Sequence, residues 1–234
     1  MPPILRKVET KLRFYMAVFI SIMPFSKLRI LLYRIIHRYK IAWNAKIGFA
    51  TIIAVDKVSI GRAVIGGFNR FCGPFELNIS DNASVGQKNR FSCGQWAVQG
   101  RYRDYGYARS LKIGNKAVIT EGHFFDVIGG FELGDNSWIA GRDSQFWTHG
   151  TKINSTKAED RMIIIGNKCY IGSAVRFMPG TKIGNNTIVA MGSVVTKKFS
   201  QDYLMVGGVP AKIIRENYDW ASRAAISDDS NDKT

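Results

Sequence analysis

Between Ile165 and Ser200 the chain repeats every six residues, reading IGNKCY, IGSAVR, FMPGTK, IGNNTI, VAMGSV and VTKKFS. Each six opens on an apolar residue, four of them carry Gly or Ala second, and most place a small or short residue fifth. This period matches neither the stripe of an amphipathic helix nor the alternation of a half-buried strand. It fits a chain wound around a triangular prism, with one apolar anchor per short strand pointing inward. Three strands and three corners make a coil of about eighteen residues, and such coils bury their faces only by stacking. The fold expected is an all-β solenoid.

The rhythm starts near Ile41, continues through Ile60, and returns at Ile79, Ile113 and Leu133. It fails at residues 101–110 (RYRDYGYARS) and 152–162 (KINSTKAEDRM). Insertions in a solenoid leave at a corner and often build the binding face. Three regions are expected: a basic helical segment over 1–40, the repeat domain over 41–200 with its two excursions, and a segment over 201–234 ending in a polar, acidic, disordered tail.

At 234 residues, 46% of them hydrophobic, the chain is long enough for one sizeable core. Its formal charge is +15, and residues 1–46 concentrate it, with ten Lys or Arg against the single acid Glu9. A basic balance admits nucleic acid or an anionic membrane as partners. Nucleic acid is set aside, because the aromatics here sit inside apolar stripes and do not alternate with the cations. Residues 4–40 read as helical and broken at Pro24, with Leu28, Leu31, Leu32, Ile35 and Ile36 on one stripe among Lys27, Arg29, Arg34 and Arg38. That stripe caps the open end of the solenoid, with contact to an anionic membrane as a second role. The best spanning candidate, Phe14 to Phe25, is twelve residues, too short to cross a bilayer, and no signal-peptide cleavage site follows it. Cys72, Cys93 and Cys169 have no metal-ligand spacing and are expected as reduced thiols in a cytoplasmic protein, peripheral at most at the inner membrane face.

Three features occur in order from Trp147 to Arg215: WTHG followed by an excursion, two unbroken coils containing IGNNTIVAMGSVVTK, and the run VGGVPAKIIR. On these, residues 41–218 resemble the hexapeptide-repeat acyltransferases. Within that family they resemble the maltose and galactoside O-acetyltransferases and the enzymes that acetylate bacterial surface polysaccharides. The resemblance implies a left-handed parallel β-helix, a homotrimer with sites between neighbouring prisms, and acetyl-CoA as acyl-donor cosubstrate with no tightly bound cofactor. It also implies that His149 is the general base. The chemistry agrees, since a sugar hydroxyl is a poor nucleophile and an imidazole titrating near neutrality can take its proton and pass it to the departing thiolate.

Other residues follow with less direct roles. His123 is expected beside Asp143 one coil on, as a structural or substrate-positioning group. Asp143, Asp126 and Glu121 are each candidates to orient His149, and Trp147 to contact substrate. The resemblance carries coenzyme binding onto Ser173, Met191, Gly192, Thr196, Lys197, Lys212 and Arg215, the small residues admitting the pantetheine arm and the cations meeting phosphates. Two positions depart from the family: Gly150 follows His149 where Pro is common, and Met191 stands where Ala is usual. The function expected is acetyl-CoA-dependent O-acetylation of a sugar in a bacterial surface glycan or its precursor. The alternatives are N-acetylation of an amino sugar, free or nucleotide-linked, and a non-catalytic scaffold. A zinc enzyme of this fold needs three histidine ligands, and one of the three here, His37, lies in the helical segment, so no metal is expected.

Overall fold

The structure, a computed structural model, describes residues 3–150 and 161–222. From Lys40 the chain runs turn after turn around three faces, each built of parallel strands. The long strands Ile52–Ile60 and Arg70–Ile79 pass round one corner without a break, so each contributes to two faces. Their first halves share a face with Arg90–Ser92, Phe124–Asp126, Gln145–Phe146, Arg176–Phe177 and Val194–Val195. Their second halves share the next with Lys40–Ile41, Ser110–Ile113, Phe131–Leu133, Ile163–Ile165 and Lys182–Ile183. The third face runs from Lys46–Ile47 to Ile188–Val189 and closes on an antiparallel hairpin, Met205–Gly208 with Ala211–Arg215.

The six-residue rhythm has a plain physical origin. Each short strand turns one large apolar side chain inward, and register stacks these anchors. On the first face Phe71, Phe91, Phe125, Phe146 and Phe177 form a column of stacked rings with centroids 4.4, 4.5, 4.6 and 5.1 Å apart. Ring pairs at such spacings add about 0.5–1.5 kcal/mol each beyond the area they bury. On the third face Ile47, Ile65, Val85, Ile119, Ile139, Ile171, Val189 and Val206 do the same. One corner turns through a left-handed residue in coil after coil, at Asn82, Lys116, Asn136, Lys168, Asn186 and Tyr203, with φ between 51° and 59°. Asn recurs there because its short amide tolerates that conformation.

The first interruption begins earlier than residues 101–110. Only the start of the hexad FSCGQW holds strand geometry, to Ser92, and two 3-10 helices, Gln95–Val98 and Gly100–Asp104, fill the way to Ser110. The indole of Trp96 folds back over Gly94, where a Cβ would fall 2.4 Å from its Nε1. Of the second excursion, residues 151–160 lie outside the described residues, and Arg161 leads back into Ile163–Ile165. Both interruptions depart from the same corner, between the first face and the second. The tail beyond residue 222 also lies outside the described residues.

Two helices, α1 (Pro3–Ser21) and α2 (Ser26–Ile36), precede the coils and pack on the first of them. The face that α2 buries is not the expected stripe. Arg29, Ile30 and Tyr33 go inward, while Leu31, Ile35 and Ile36 stay exposed. Polar tethers explain the choice. Arg29 donates to the carbonyls of Ile47 and Met23, and the Tyr33 hydroxyl accepts from the Ile53 N–H at 3.0 Å and reaches the Thr51 carbonyl at 3.2 Å. The cap is therefore held by hydrogen bonds to coil backbone that would otherwise be an open edge.

Candidate active site

His149 stands where a coil ends and the second interruption begins. Its Nδ1 lies 2.7 Å from Asp126 Oδ2, and its side chain is 36% exposed against 4% for Asp126. Asp126 occupies an outward position of its strand yet is buried, because the Gln95–Asp104 excursion and the Thr148 turn lie over this corner. Its Oδ2 also accepts from the Thr148 N–H at 2.9 Å and lies 2.8 Å from Thr148 Oγ1, which in turn accepts from the Gly129 N–H at 2.8 Å. A carboxylate pinned this way fixes the imidazole with Nδ1 protonated and leaves Nε2 as the basic atom. The hydrogen bond and charge of Asp126 raise the His149 pKa above its ordinary value, against burial and the charge of Arg161.

Aromatic rings wall the imidazole. Trp96 meets it edge to face at 5.6 Å between centroids, and Trp147 at 6.3 Å. Phe124 packs on Trp147 at 4.9 Å, and Tyr102 and Tyr107 on Trp96 at 5.0 and 6.1 Å. Buried Arg161 lies over the Tyr107 ring and donates to the carbonyl of Gly150, closing the other side. Of these, Trp96 and Phe124 escaped the sequence reading, while Tyr102, Tyr107 and Arg161 fall in its two excursions without having been singled out. The hexad FSCGQW gave no signal for Trp96, because its sixth position takes large residues elsewhere in the repeat, Trp138 in LGDNSW among them. Burial pushes the Cys93 thiol, under the same excursion, up to about 12, with the charge of Asp126 adding to the effect, so this cysteine is no nucleophile.

The remaining expected residues fall elsewhere. Glu121 pairs with Arg142 and accepts from Gln87, on the corner that precedes the first face, and so does not reach His149. Asp143 sits on that same corner, next to Ser144, whose N–H donates to His123 Nδ1 at 3.2 Å. His123 Nε2 meets Thr120 Oγ1 at 3.0 Å, and burial pulls its pKa down to about 4 despite the charges of Asp143 and Glu121. Ser173, Met191 and Gly192 continue this corner upward: the Gly192 N–H donates to the Ser173 carbonyl at 2.9 Å, and Met191 is exposed. A Cβ on Gly141 would fall 1.7 Å from Ser173 Oγ, so the glycine makes room for that hydroxyl. Thr196 and Lys197 instead lie on the His149 corner, reached through Trp147 N–H to Phe177 carbonyl and Met178 N–H to Val195 carbonyl bonds of 3.0 and 2.9 Å. Lys212 and Arg215 are exposed on the closing hairpin.

The comparisons with known proteins match this geometry to a repeat. Residues 162–197 match the family described as bacterial transferase hexapeptide (six repeats). It is 44% identical over 54 residues to the galactoside O-acetyltransferase of Escherichia coli K12, a match covering 23% of this chain and 26% of that protein. It is 38% identical over 58 residues to WbbJ of the same strain, described as a putative lipopolysaccharide biosynthesis O-acetyl transferase, covering 25% and 29%. The chain thus spans about a quarter of the length of these curated relatives. In fold it resembles a hexapeptide-repeat acetyltransferase of Vibrio cholerae (TM-score 0.52, 18% identity, 91% of this chain and 93% of that one). It also resembles the polysialic acid O-acetyltransferase OatWY (TM-score 0.55, 21% identity, 78% and 86%).

Proposed function

We propose that this hexapeptide-repeat chain is an acetyl-CoA-dependent O-acetyltransferase that modifies a sugar hydroxyl of a bacterial surface glycan or its precursor. The observation that carries the reading is the 2.7 Å His149–Asp126 contact beside an exposed aromatic wall. In the mechanism, His149 Nε2 takes the acceptor proton as the hydroxyl oxygen attacks the thioester carbonyl. The imidazolium, steadied by Asp126, then returns that proton to the thiolate as the carbon–sulfur bond breaks. Sugar ester and free thiol leave, and His149 is neutral again. No enzyme nucleophile takes part.

The coils are read as a left-handed parallel β-helix. Ser173, Met191, Gly192, Thr196, Lys197, Lys212 and Arg215 are assigned to acetyl-CoA, the exposed cations to its phosphates. Because Ser173 and Met191 stand on a different corner from His149, a ring of three copies that faces one corner with the other would gather both sets, which supports a homotrimer. The relatives printed as O-acetyltransferases of lipopolysaccharide biosynthesis and polysialic acid support a glycan acceptor. Among the described residues no helix is long and apolar enough to cross a membrane. On α1, Leu12, Tyr15 and Phe19 form an exposed stripe at helical spacing beside Lys11, and Ile22, Phe25 and Lys27 extend it beyond the helix. This supports peripheral contact of residues 4–40 with an anionic membrane from the cytoplasmic side.

The test is release of free thiol from acetyl-CoA with a panel of hydroxyl and amino glycan acceptors, for the wild type and His149→Ala. Hydroxyl-dependent release that collapses in the variant is expected. Preference for amines would replace the reading with N-acetylation, and failure to bind coenzyme A would leave the scaffold.

A further inference from the structure

Several cations of this prism meet an acid one coil away. Arg62 pairs with Asp81 at 3.2 Å, Lys112 with Glu132 at 3.6 Å, and Arg142 with Glu121, while Lys57 stands in register with Glu76. The first face holds two cations arranged against each other instead. Arg70 is the register partner of Arg90, and Arg90 of Phe124, then Gln145. Both arginines are exposed, and among the described residues neither has a carboxylate within ion-pair distance. Burial raises the pKa of the Cys72 thiol while the charge of Arg70 acts on it in the lowering sense, and Arg90 lies 5.7 Å over the Phe124 ring. Like charges directly opposite on neighbouring strands, about 4.8 Å apart, repel each other. The chain holds two guanidiniums in that arrangement with no carboxylate among the described residues paired to either.

The column has a direction. From Arg70 and Arg90 it leads to Phe124, whose ring touches Trp147, whose ring in turn faces His149. Three strand steps, roughly 14 Å, separate Arg70 from the His149 coil. The residues assigned to acetyl-CoA lie in coils on the other side of His149, so this stretch is free for the acceptor. Resting on the O-acetyltransferase reading, we propose that the acceptor is an anionic saccharide chain, bearing carboxylates or phosphodiesters, that lies across the coils. Arg70 and Arg90 hold its charges while Phe124 and Trp147 stack one sugar ring and present its hydroxyl to His149. Guanidinium forks suit both kinds of anionic oxygen, and aromatic faces suit the apolar face of a pyranose.

The experiment is calorimetric binding to the full chain without acetyl-CoA. The probes are an oligogalacturonate, a phosphodiester-linked oligosaccharide, a neutral maltooligosaccharide of equal length and an RNA oligonucleotide, each at low and high salt. One of the two acidic saccharides should bind in a salt-sensitive way, and which one does names the anion. Arg70→Gln with Arg90→Gln should weaken it about tenfold or more, as loss of charge-assisted contacts predicts. Both side chains are exposed, so thermal melts should show a folded variant with an unchanged or higher Tm. Equal binding of the neutral chain, tighter binding of RNA, unchanged affinity in the double variant, or a shift of oligomeric state in its place would each overturn the proposal. His149→Ala should still bind the acidic saccharide. If it does, and the wild type turns over no acceptor, the catalytic reading falls while the acidic-glycan surface stands. Turnover without the arginine dependence would do the opposite, sparing the catalytic reading and removing the acidic-glycan surface.

Discussion

His123 and His149 sit on consecutive coils, one just before the first face and the other just after it, and their surroundings make them different reagents. At the leading corner the coil is unbroken. His123 is buried, its Nδ1 accepts the Ser144 N–H, its Nε2–H is spent on Thr120 Oγ1, and burial pulls its pKa down to about 4. At the trailing corner two interruptions lift the chain away. Asp126 takes one ring nitrogen of His149, no hydrogen bond among the described residues takes the other, and the pKa rises. The lesson is that a regular solenoid consumes an imidazole to satisfy its own backbone. A base becomes available only where the repeat fails.

The sharpest way to break that contrast is to substitute both histidines with Gln. His149→Gln should cost about a thousandfold in acyl transfer, the range of a lost general base, and leave the melting temperature nearly unchanged. His123→Gln should do the reverse, retaining catalysis while losing about 1–3 kcal/mol of stability, because its amide oxygen replaces Nδ1 imperfectly for the buried Ser144 N–H. Equal loss of activity in both variants would erase the distinction between the corners.

A smaller effect sharpens the role of the carboxylate. Asp126→Asn keeps the shape and one acceptor oxygen but removes the charge that holds up the His149 pKa and strengthens its hydrogen bond. Transfer should fall roughly a hundredfold, as orientation and proton affinity are lost together. At the same time the acidic limb of the rate–pH profile should move to lower pH, because an imidazole without its anion loses its proton more easily. A fall in rate with no displacement of that limb would assign Asp126 to packing alone.

Much of this was legible in the sequence because the repeat is a geometric code. An apolar residue every sixth position can serve only a prism, and Ile171, Phe177, Ile183, Val189 and Val195 all point inward as that code requires. His149 was legible for the opposite reason, as a polar residue at the place where the code stops. The choice of Asp126 over Glu121 and Asp143 was not, because it depends on which corner each acid occupies, and the count of residues inside an excursion shifts that by whole faces. Trp96 was hidden in a hexad that imitates the repeat for three residues before leaving it. On α2 the apolar stripe was visible, but Arg29 and Tyr33 decided the buried face through hydrogen bonds that hydropathy does not register.

The least effect concerns acid, and it isolates His123 from everything else that titrates. An unfolded chain protonates this histidine near its ordinary value of 6.5, while the folded chain resists until about 4. Between those values the unfolded state holds the extra proton, so stability falls as the pH falls through this window, by up to ~3 kcal/mol at 1.36 kcal/mol per unit. His149 works in the opposite sense, its contribution being present below its unfolded value and lost as pH rises through its folded one, but that part is common to wild type and variant. His123→Gln cannot take up the proton in either state. The stability gap between it and the wild type, measured by denaturant melts from pH 7 to 4, should therefore narrow steadily on acidification. A gap that stays constant would mean that His123 titrates in the fold as it does in the unfolded chain, which its Ser144 donor forbids unless that corner opens.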